Sequence, residues 1–182
     1  MDELSDISSA SDEFESLYVR PKFGRTLICG SKLYKGSTDR RQRYQVAIGI
    51  DQEWGPGVDL VMNLEDTLPY TLGHFAHVDC LSVLEHSRKP WSMAANVERL
   101  LDHGGTLHVA APFAWRFHGY PSDYWRFTTQ GIRELFPNVK WAKLVYAIHR
   151  PANRLIETVK AIRIDGYPYF NRAEVYGFGV RV

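Results

Sequence analysis

Short apolar blocks separated by polar segments run along most of the chain and predict strands that alternate with helices. Residues 25–29 form a first apolar run that ends at Gly30, and residues 45–51 form a second run that ends on Asp51. A glycine lets the backbone pass close to a ligand, and an acid about 20 residues later is placed to accept hydrogen bonds from ribose hydroxyls. Strand, glycine turn, short polar helix, strand and acid together predict a nucleotide-binding βαβ unit.

The later apolar runs extend this unit into a Rossmann-like, doubly wound α/β sheet. We predict further strands over residues 58–62, 77–82, 106–111, 140–148 and 174–182, and helices over residues 128–136 and 151–162. Residues 53–57 turn the chain directly from the second strand into the third, so the fold is expected to be trimmed there. The final strands predict an antiparallel strand at the C-terminal edge of an otherwise mostly parallel sheet.

A further helix is predicted between the fourth and fifth strands. It begins at Pro90, a residue that suits a first helical turn, and is stopped by Gly104 and Gly105. Helical spacing makes one face of this segment apolar, and we expect that face to be buried. Its members are Trp91, Ala94, Ala95 and Leu101.

Composition adds limits to this picture. A chain of 182 residues with a net charge of +1 predicts one domain and no general attraction to nucleic acid or membrane. Residues 1–16 are acidic and predict a disordered arm ahead of a single domain over residues 17–182. The chain has no long apolar run and no signal-peptide pattern, which predicts a cytoplasmic protein. Cys29 and Cys80 fall in predicted core strands and are expected to be reduced, buried thiols.

Four stretches resemble class I S-adenosylmethionine-dependent methyltransferases of the broad type 11 group. They read CGSKLYKGS, GIDQEWGPGVD, DCLSVLEHSRKPW and LLDHGGTLHVAAPF, and a fifth, HGYPSDYWRFT, resembles a block found in a subgroup. The resemblance covers roughly residues 25–136. The chain departs from the family pattern in its glycine motif, at Ala76 near the start of the fourth strand, and at Asn63 after the third, where the family often has acids.

The resemblance implies S-adenosylmethionine as cofactor and assigns roles to residues at the carboxyl ends of the strands. Gly30 and Ser31 would turn beneath the methionine part, and Asp51 would accept from both ribose hydroxyls. Asn63 and Leu64 would face the adenine. Leu81 and Ser82 would lie beneath the methionine part at the end of the fourth strand, with Glu85 and His86 at the rim.

The loop over residues 113–127 is rich in aromatic residues interleaved with charged ones. As an acceptor pocket, this loop would place His118 as the general base, Asp123 as its orienting partner and His86 as the second candidate base. Substrate contacts would then come from the side chains of Trp115, Tyr124, Trp125 and Arg126. The alternative is a loop that packs on itself, with Arg126 paired to Asp123.

These features favour methyl transfer to a small-molecule or sugar hydroxyl. Two alternatives stay open, namely a catalytically inactive module that binds a cofactor or partner, and a nucleic-acid methyltransferase. The second rests on Arg40, Arg41 and Arg43, which are more simply a solvated helix face than a phosphate-binding patch. The chain has no HExxH motif and no clustered Cys/His spacing, so no metal site is expected. The sequence leaves the oligomeric state open.

Overall fold

The strands and helices follow the alternation that the hydrophobic pattern predicts. The computed structural model describes residues 14–20, 23–119, 121–148, 163–164, 167–168 and 173–182. Its strands are β1 (Arg25–Cys29), β2 (Val46–Asp51), β3 (Leu60–Val61), β4 (Phe75–Leu81), β5 (Leu101–Ala114), β6 (Val139–Ile148), β7 (Arg163–Ile164), β8 (Tyr167–Pro168) and β9 (Ala173–Arg181). The α-helices are α1 (Pro90–Leu100) and α2 (Thr129–Leu135), and 3₁₀ turns cover Arg40–Arg43, Tyr70–Leu72 and Leu84–His86. The predicted helix over residues 151–162 and residues 1–13 of the predicted arm lie outside the described residues.

Seven strands form one mixed sheet in the order β3-β2-β1-β4-β5-β9-β6, and β7 pairs with β8 separately. The first five strands pair in parallel, whereas β9 is antiparallel to both of its neighbours. These findings confirm the Rossmann-like, mostly parallel sheet with an antiparallel C-terminal strand. That strand is inserted between β5 and β6, so β6 forms the outer edge.

The order of the strands fixes where a ligand can bind. From β1 the chain moves outward to β2 and β3, and then returns to the other side of β1 to form β4. A crevice opens outside the carboxyl ends of the strands at such a reversal, and ligands of open α/β sheets bind there. The trimmed connection is confirmed, because no helix lies between β2 and β3.

Helices α1 and α2 pack on one face of the sheet. Met93, Ala94 and Val97 of α1 are buried in a cluster that also contains Val78 of β4 and Ile132 of α2. Thr128 caps α2 by accepting a hydrogen bond from the Gly131 backbone N–H, at 2.9 Å from nitrogen to Oγ1.

Two of the residues predicted for the buried face of α1 are exposed, so the prediction is wrong for them. Ala95 is exposed, and Trp91 is 55% exposed because it lies at the surface with its ring edge against Trp125, 5.9 Å between centroids. The helix also ends at Leu100, and Leu101 already begins β5. The buried stripe consists of the smaller side chains of Met93, Ala94 and Val97. A large apolar residue at position 91 shifted the predicted face away from this stripe.

The opposite face carries a smaller cluster that includes the start of the described chain. Residues 14–18 form a helical turn, and the ring of Phe14 is buried against Tyr176 of β9 and His108 of β5. Cys29 and Cys80 are register partners in β1 and β4, and both are buried free thiols, as predicted. Among the described helices, none has the length and apolar character needed to span a membrane.

Candidate functional site

A cavity opens at the crevice between β1 and β4, and several residues singled out in the sequence line it. The residues predicted for the site that line this cavity are Gly30, Asp51, Asn63, Leu64, Ser82 and His86. The first five of these were predicted to bind the cofactor, and His86 was predicted as the second candidate base for the acceptor.

Two backbone positions with positive φ lie just past the ends of β1 and β4. Gly30 has φ +64°, and a Cβ placed on it would lie 2.7 Å from a methyl of Val83, so the position suits only glycine. Ser82, just past β4, is the single described non-glycine residue with positive φ, at 52°. Such strained backbone often occurs at ligand sites, and here it lies at the predicted one.

The carboxylate of Asp51 is fixed at the end of β2 by two backbone donors. The Lys32 N–H donates to Oδ2 and the Glu53 N–H donates to Oδ1, each at 3.1 Å between heavy atoms. A carboxylate offers about four lone-pair sites, so both oxygens retain capacity to accept from a ligand. Asp51 therefore presents an oriented acceptor pair to the cavity, and that arrangement suits two neighbouring hydroxyls.

Asn63 and Leu64 form the wall of the cavity after β3. The Glu65 N–H donates to Asn63 Oδ1 at 3.0 Å, so the amide oxygen is engaged by the backbone and the amide nitrogen supplies the donors. Leu64 is buried and contributes an apolar surface. Glu65 in turn accepts from the Ser87 hydroxyl at 2.9 Å, which ties this wall to the segment that follows β4.

Ser31 and Leu81, two of the predicted cofactor residues, line a second cavity instead, and Gly30 separates the two spaces. Ser31 Oγ is buried without a hydrogen-bond partner among the described residues. Leu81 packs against the Phe14 cluster on the far face of the sheet. The same second cavity is lined by Arg40 and Asp79.

Asp79 is the centre of a buried polar network that sequence reasoning missed. Its Oδ1 accepts from His108 Nδ1 at 3.1 Å and from His77 Nε2 at 3.2 Å. Its Oδ2 accepts from Arg40 Nε at 3.1 Å and Nη2 at 3.0 Å, and from the Tyr44 hydroxyl at 2.8 Å. Burial alone would raise the pKa of Asp79, but the two histidines and Arg40 outweigh it and hold that pKa well below its usual value. His77 and Asp79 at alternate positions of an apolar strand were the available signal.

The same network corrects the interpretation of the arginine run. Arg40 pairs with Asp79 and Glu15, and Arg43 also pairs with Glu15. Arg41 pairs with Asp39 and Asp59 in an exposed segment. A solvated helix face is wrong for Arg40, whose guanidinium is held by the buried Asp79, whereas no residue of the turn is buried and Arg43 is exposed. These pairs join the helical turn over residues 14–18 to the sheet.

Hydrogen bonds attach the aromatic loop to the segment after β4. The Tyr124 N–H donates to the Glu85 carbonyl at 2.8 Å, and Trp125 Nε1 donates to the Ser87 carbonyl at 2.9 Å. His86 Nδ1 lies 2.5 Å from the Ser122 carbonyl. The loop thus closes over the rim of the crevice, although β5 continues to Ala114, beyond the end predicted for it.

This closure brings His118 and His86 together around Glu85. Glu85 Oε1 lies 3.7 Å from His118 Nε2 and 3.8 Å from His86 Nε2, and the carboxylate is only 1% exposed. The two imidazole rings meet edge to face with 5.1 Å between centroids. The nearby Glu85 carboxylate and the charge of Asp123 raise the pKa of His118, against the opposing effect of burial.

Asp123 lies beside His118, as predicted. The His118 N–H donates to Asp123 Oδ2 at 2.8 Å, and His118 Nδ1 lies 3.1 Å from the same oxygen. Arg126 forms a two-pronged pair with this carboxylate at 2.5 and 2.8 Å, so the predicted pairing of Arg126 with Asp123 is confirmed. Through these bonds Asp123 holds both the backbone and the ring of His118.

The other predicted substrate residues hold the loop in place. Arg88 donates to the Tyr124 hydroxyl at 3.0 Å, while Trp125 is anchored to Ser87 as described above. The Trp115 ring lies 6.4 Å from that of His118. None of Trp115, Tyr124, Trp125 and Arg126 lines the main cavity as the described residues define it.

Comparison with known proteins identifies the fold. No family model matches the sequence, and no curated protein sequence is similar to it. Among solved structures, the chain is similar to one from the Haloferax volcanii complex between the Trm112 methyltransferase activator and a methyltransferase. That match has a TM-score of 0.63 at 16% identity and covers 94% of this chain and 88% of that one.

Two further similar structures contain bound S-adenosylhomocysteine. The N-methyltransferase NodS from Bradyrhizobium japonicum matches with a TM-score of 0.60 at 10% identity, covering 98% of this chain and 94% of that one. The 1,6-didemethyltoxoflavin-N1-methyltransferase from Burkholderia thailandensis matches with a TM-score of 0.60 at 12% identity, covering 94% and 76%. The chain therefore has the fold of class I methyltransferases.

Proposed function

We propose that this protein binds S-adenosylmethionine and transfers its methyl group to a hydroxyl of a small-molecule or sugar acceptor. The observation that carries the proposal is the carboxylate of Asp51, held at the end of β2 beside the turn at Gly30. Both face one cavity at the strand-order reversal. Solved methyltransferases of the same fold hold S-adenosylhomocysteine, which supports this cofactor class.

The residues around the cavity fit the cofactor. Asp51 would accept from the two ribose hydroxyls, because each of its oxygens is oriented by one backbone N–H and keeps acceptor capacity. The missing side chain at Gly30 lets the backbone approach the ligand. Asn63 and Leu64 would bind the base through the amide and an apolar contact. When bound, the cofactor supplies an electrophilic methyl group on a sulfonium.

The acceptor would lie at the other end of the cavity, where His86 and Pro121 form part of its lining. His118, Glu85 and His86 lie together at this rim, and His118 is the leading candidate to take the proton from an acceptor hydroxyl. Asp123 orients the His118 ring through Nδ1. General-base catalysis of this kind contributes about 10²–10⁴-fold to a rate.

A second candidate function is a cofactor-binding or partner-binding module without catalysis. The observation that favours it is the use of Tyr124, Trp125 and Arg126 as loop anchors instead of cavity lining. Nucleic-acid methylation is less well supported, because Arg40, Arg41 and Arg43 are all paired with carboxylates.

Calorimetric titration with S-adenosylhomocysteine tests cofactor binding. We expect wild-type protein to bind one equivalent and Asp51→Ala to bind more weakly by about 1–3 kcal/mol, since two hydroxyls would lose a charged acceptor. Asp102→Ala, at an exposed site on β5, is the matched control. Melting temperatures of all three proteins are needed because Asp51 also accepts two backbone hydrogen bonds.

Equal affinity of wild type and Asp51→Ala would contradict the proposed cofactor site. Once binding is established, an acceptor screen with isotopically labelled S-adenosylmethionine separates the two candidate functions. Transfer of label to a hydroxyl-bearing small molecule supports the enzyme, whereas cofactor binding without transfer across the screen supports the binding module.

A further inference from the structure

Three electron-pair donors converge at the rim of the crevice. The ligand atoms of Glu85, His86 and His118 all lie within 4.8 Å of one another. Glu85 and His86 come from the turn after β4, while His118 comes from the aromatic loop. Because the two segments are far apart in sequence, no spacing motif marks the group, and the hydrogen bonds between loop and turn create it.

The hydrogen bonds around the two histidines fix which ring nitrogen carries a proton. His86 Nδ1 faces the Ser122 carbonyl at 2.5 Å, and His118 Nδ1 faces the Arg116 carbonyl at 3.3 Å and the Asp123 carboxylate. Carbonyl and carboxylate oxygens only accept, so each Nδ1 is the donor. When neutral, both rings therefore direct the Nε2 lone pairs toward Glu85. Carbonyl or carboxylate partners on the distal nitrogen are the usual outer shell of metal-binding histidines.

The carboxylate at the centre is incompletely satisfied. Glu85 is 1% exposed, and its Oε2 is buried without a hydrogen-bond partner among the described residues. A buried, unpaired carboxylate is costly, and two facing lone pairs add to that cost. One proton shared with a single histidine would satisfy only one of these contacts. A cation bound by all three side chains would satisfy them together.

We propose that Glu85, His86 and His118 bind a divalent first-row transition-metal ion such as Zn²⁺ or Co²⁺. Two imidazoles and one carboxylate form a ligand set that such ions favour and that Mg²⁺ and Ca²⁺ do not. Ligands of a tetrahedral zinc ion lie about 3.3 Å apart. The two imidazole nitrogens lie 3.7 and 3.8 Å from Glu85 Oε1, within half an ångström of that spacing, and all three ligand atoms lie within 4.8 Å of one another.

The site leaves coordination positions open toward the acceptor end of the cavity, because three protein ligands do not fill the coordination sphere. His86 is the member that also lines the cavity. A hydroxyl coordinated there would lose its proton to solvent near neutral pH, since a bound divalent ion lowers the pKa of a coordinated hydroxyl strongly. This role rests on the proposed methyl transfer and would replace His118 as the base, because an Nε2 bound to the ion cannot take a proton. The binding of the ion does not rest on it.

Visible absorption during titration of the chelator-treated full chain with Co²⁺ tests the inference directly. We expect one equivalent to give a d–d band that Zn²⁺ abolishes by displacement and that millimolar Mg²⁺ leaves unchanged. Glu85→Gln and His118→Gln should each weaken binding by about tenfold or more, because removal of outer-shell partners alone costs that much. His103→Gln removes an exposed histidine and should bind like wild type.

Absence of a band together with absence of Zn²⁺ binding by calorimetry would overturn the proposal. So would equal binding by Glu85→Gln, His118→Gln and wild type, or an equal loss in His103→Gln. If Glu85→Gln fails to fold, His118→Gln decides, because the His118 side chain is partly exposed. The titration contains no cofactor, so a negative result leaves the Asp51 test intact, and failure of that test leaves the metal site standing.

Discussion

Replacement of Asp79 by asparagine should destabilise the fold strongly although Asp79 is remote from the acceptor rim. The carboxylate is 1% exposed and accepts five hydrogen bonds, two of them from Arg40. Removing one partner of a buried ion pair costs about 3–5 kcal/mol. Arg40 is 21% exposed and keeps Glu15 at 3.2 Å, so we expect the lower end, about 3 kcal/mol. For a chain of this length that corresponds to a fall of about 6–12 °C in melting temperature.

Thermal and urea unfolding followed by circular dichroism measure this effect. Asp102→Asn, which makes the same chemical change at an exposed position, is the control. The double variant Arg40→Gln/Asp79→Asn should be less destabilised than the sum of the single variants, since the second change removes the cation that the first leaves unpaired. Asp79→Asn and Asp102→Asn with the same melting temperature would refute the account of the network.

Three further predictions follow from the site. The pKa of Asp79 is lowered in the fold, so the stabilisation that its charge provides is present above the unfolded pKa of about 3.9 and is lost as the pH falls below it. The free energy of unfolding of wild type should therefore fall more steeply below about pH 4 than that of Asp79→Asn. Equal slopes for the two proteins in this pH range would contradict the prediction. Gly30→Ala should cost about 1–2 kcal/mol of stability because of its positive φ, and it should weaken S-adenosylhomocysteine binding. Adding Val83→Ala should relieve the contact between the new methyl group and the Val83 side chain. A double variant that is no more stable than Gly30→Ala would rule out that contact as a cause of the destabilisation. His118→Ala should lower turnover on an identified acceptor about 10²–10⁴-fold while cofactor affinity stays near wild type, and a joint loss of turnover and melting temperature would indicate a packing role instead.

Local pattern was sufficient for the parallel half of the sheet. Each of β1, β2, β4 and β5 contains a mostly apolar run flanked by glycine or polar residues, and such runs predict buried parallel strands without information from elsewhere in the chain. The cap at Thr128 was also predictable, because a hydroxyl residue precedes the helical period.

The rest depends on contacts between distant segments. Trp91 is apolar at a helical position, yet its ring packs on Trp125 of the loop instead of entering the core. Glu85, His86 and His118 meet only because the loop hydrogen-bonds to the turn after β4, and nothing in their spacing indicates this. Arg40 reads as a surface charge until the position of Asp79 on the neighbouring strand is known.

The insertion of β9 between β5 and β6 imposes an order on folding. Among the described strands, β6 hydrogen-bonds only to β9, and β5 is joined to β6 only through it. During synthesis β6 therefore emerges well before the strand that can receive it, and the open edge of β5 stays available to other chains in the interval. An unpaired edge of this kind is a site of aggregation, so recovery of soluble protein should depend on how quickly β9 closes the gap.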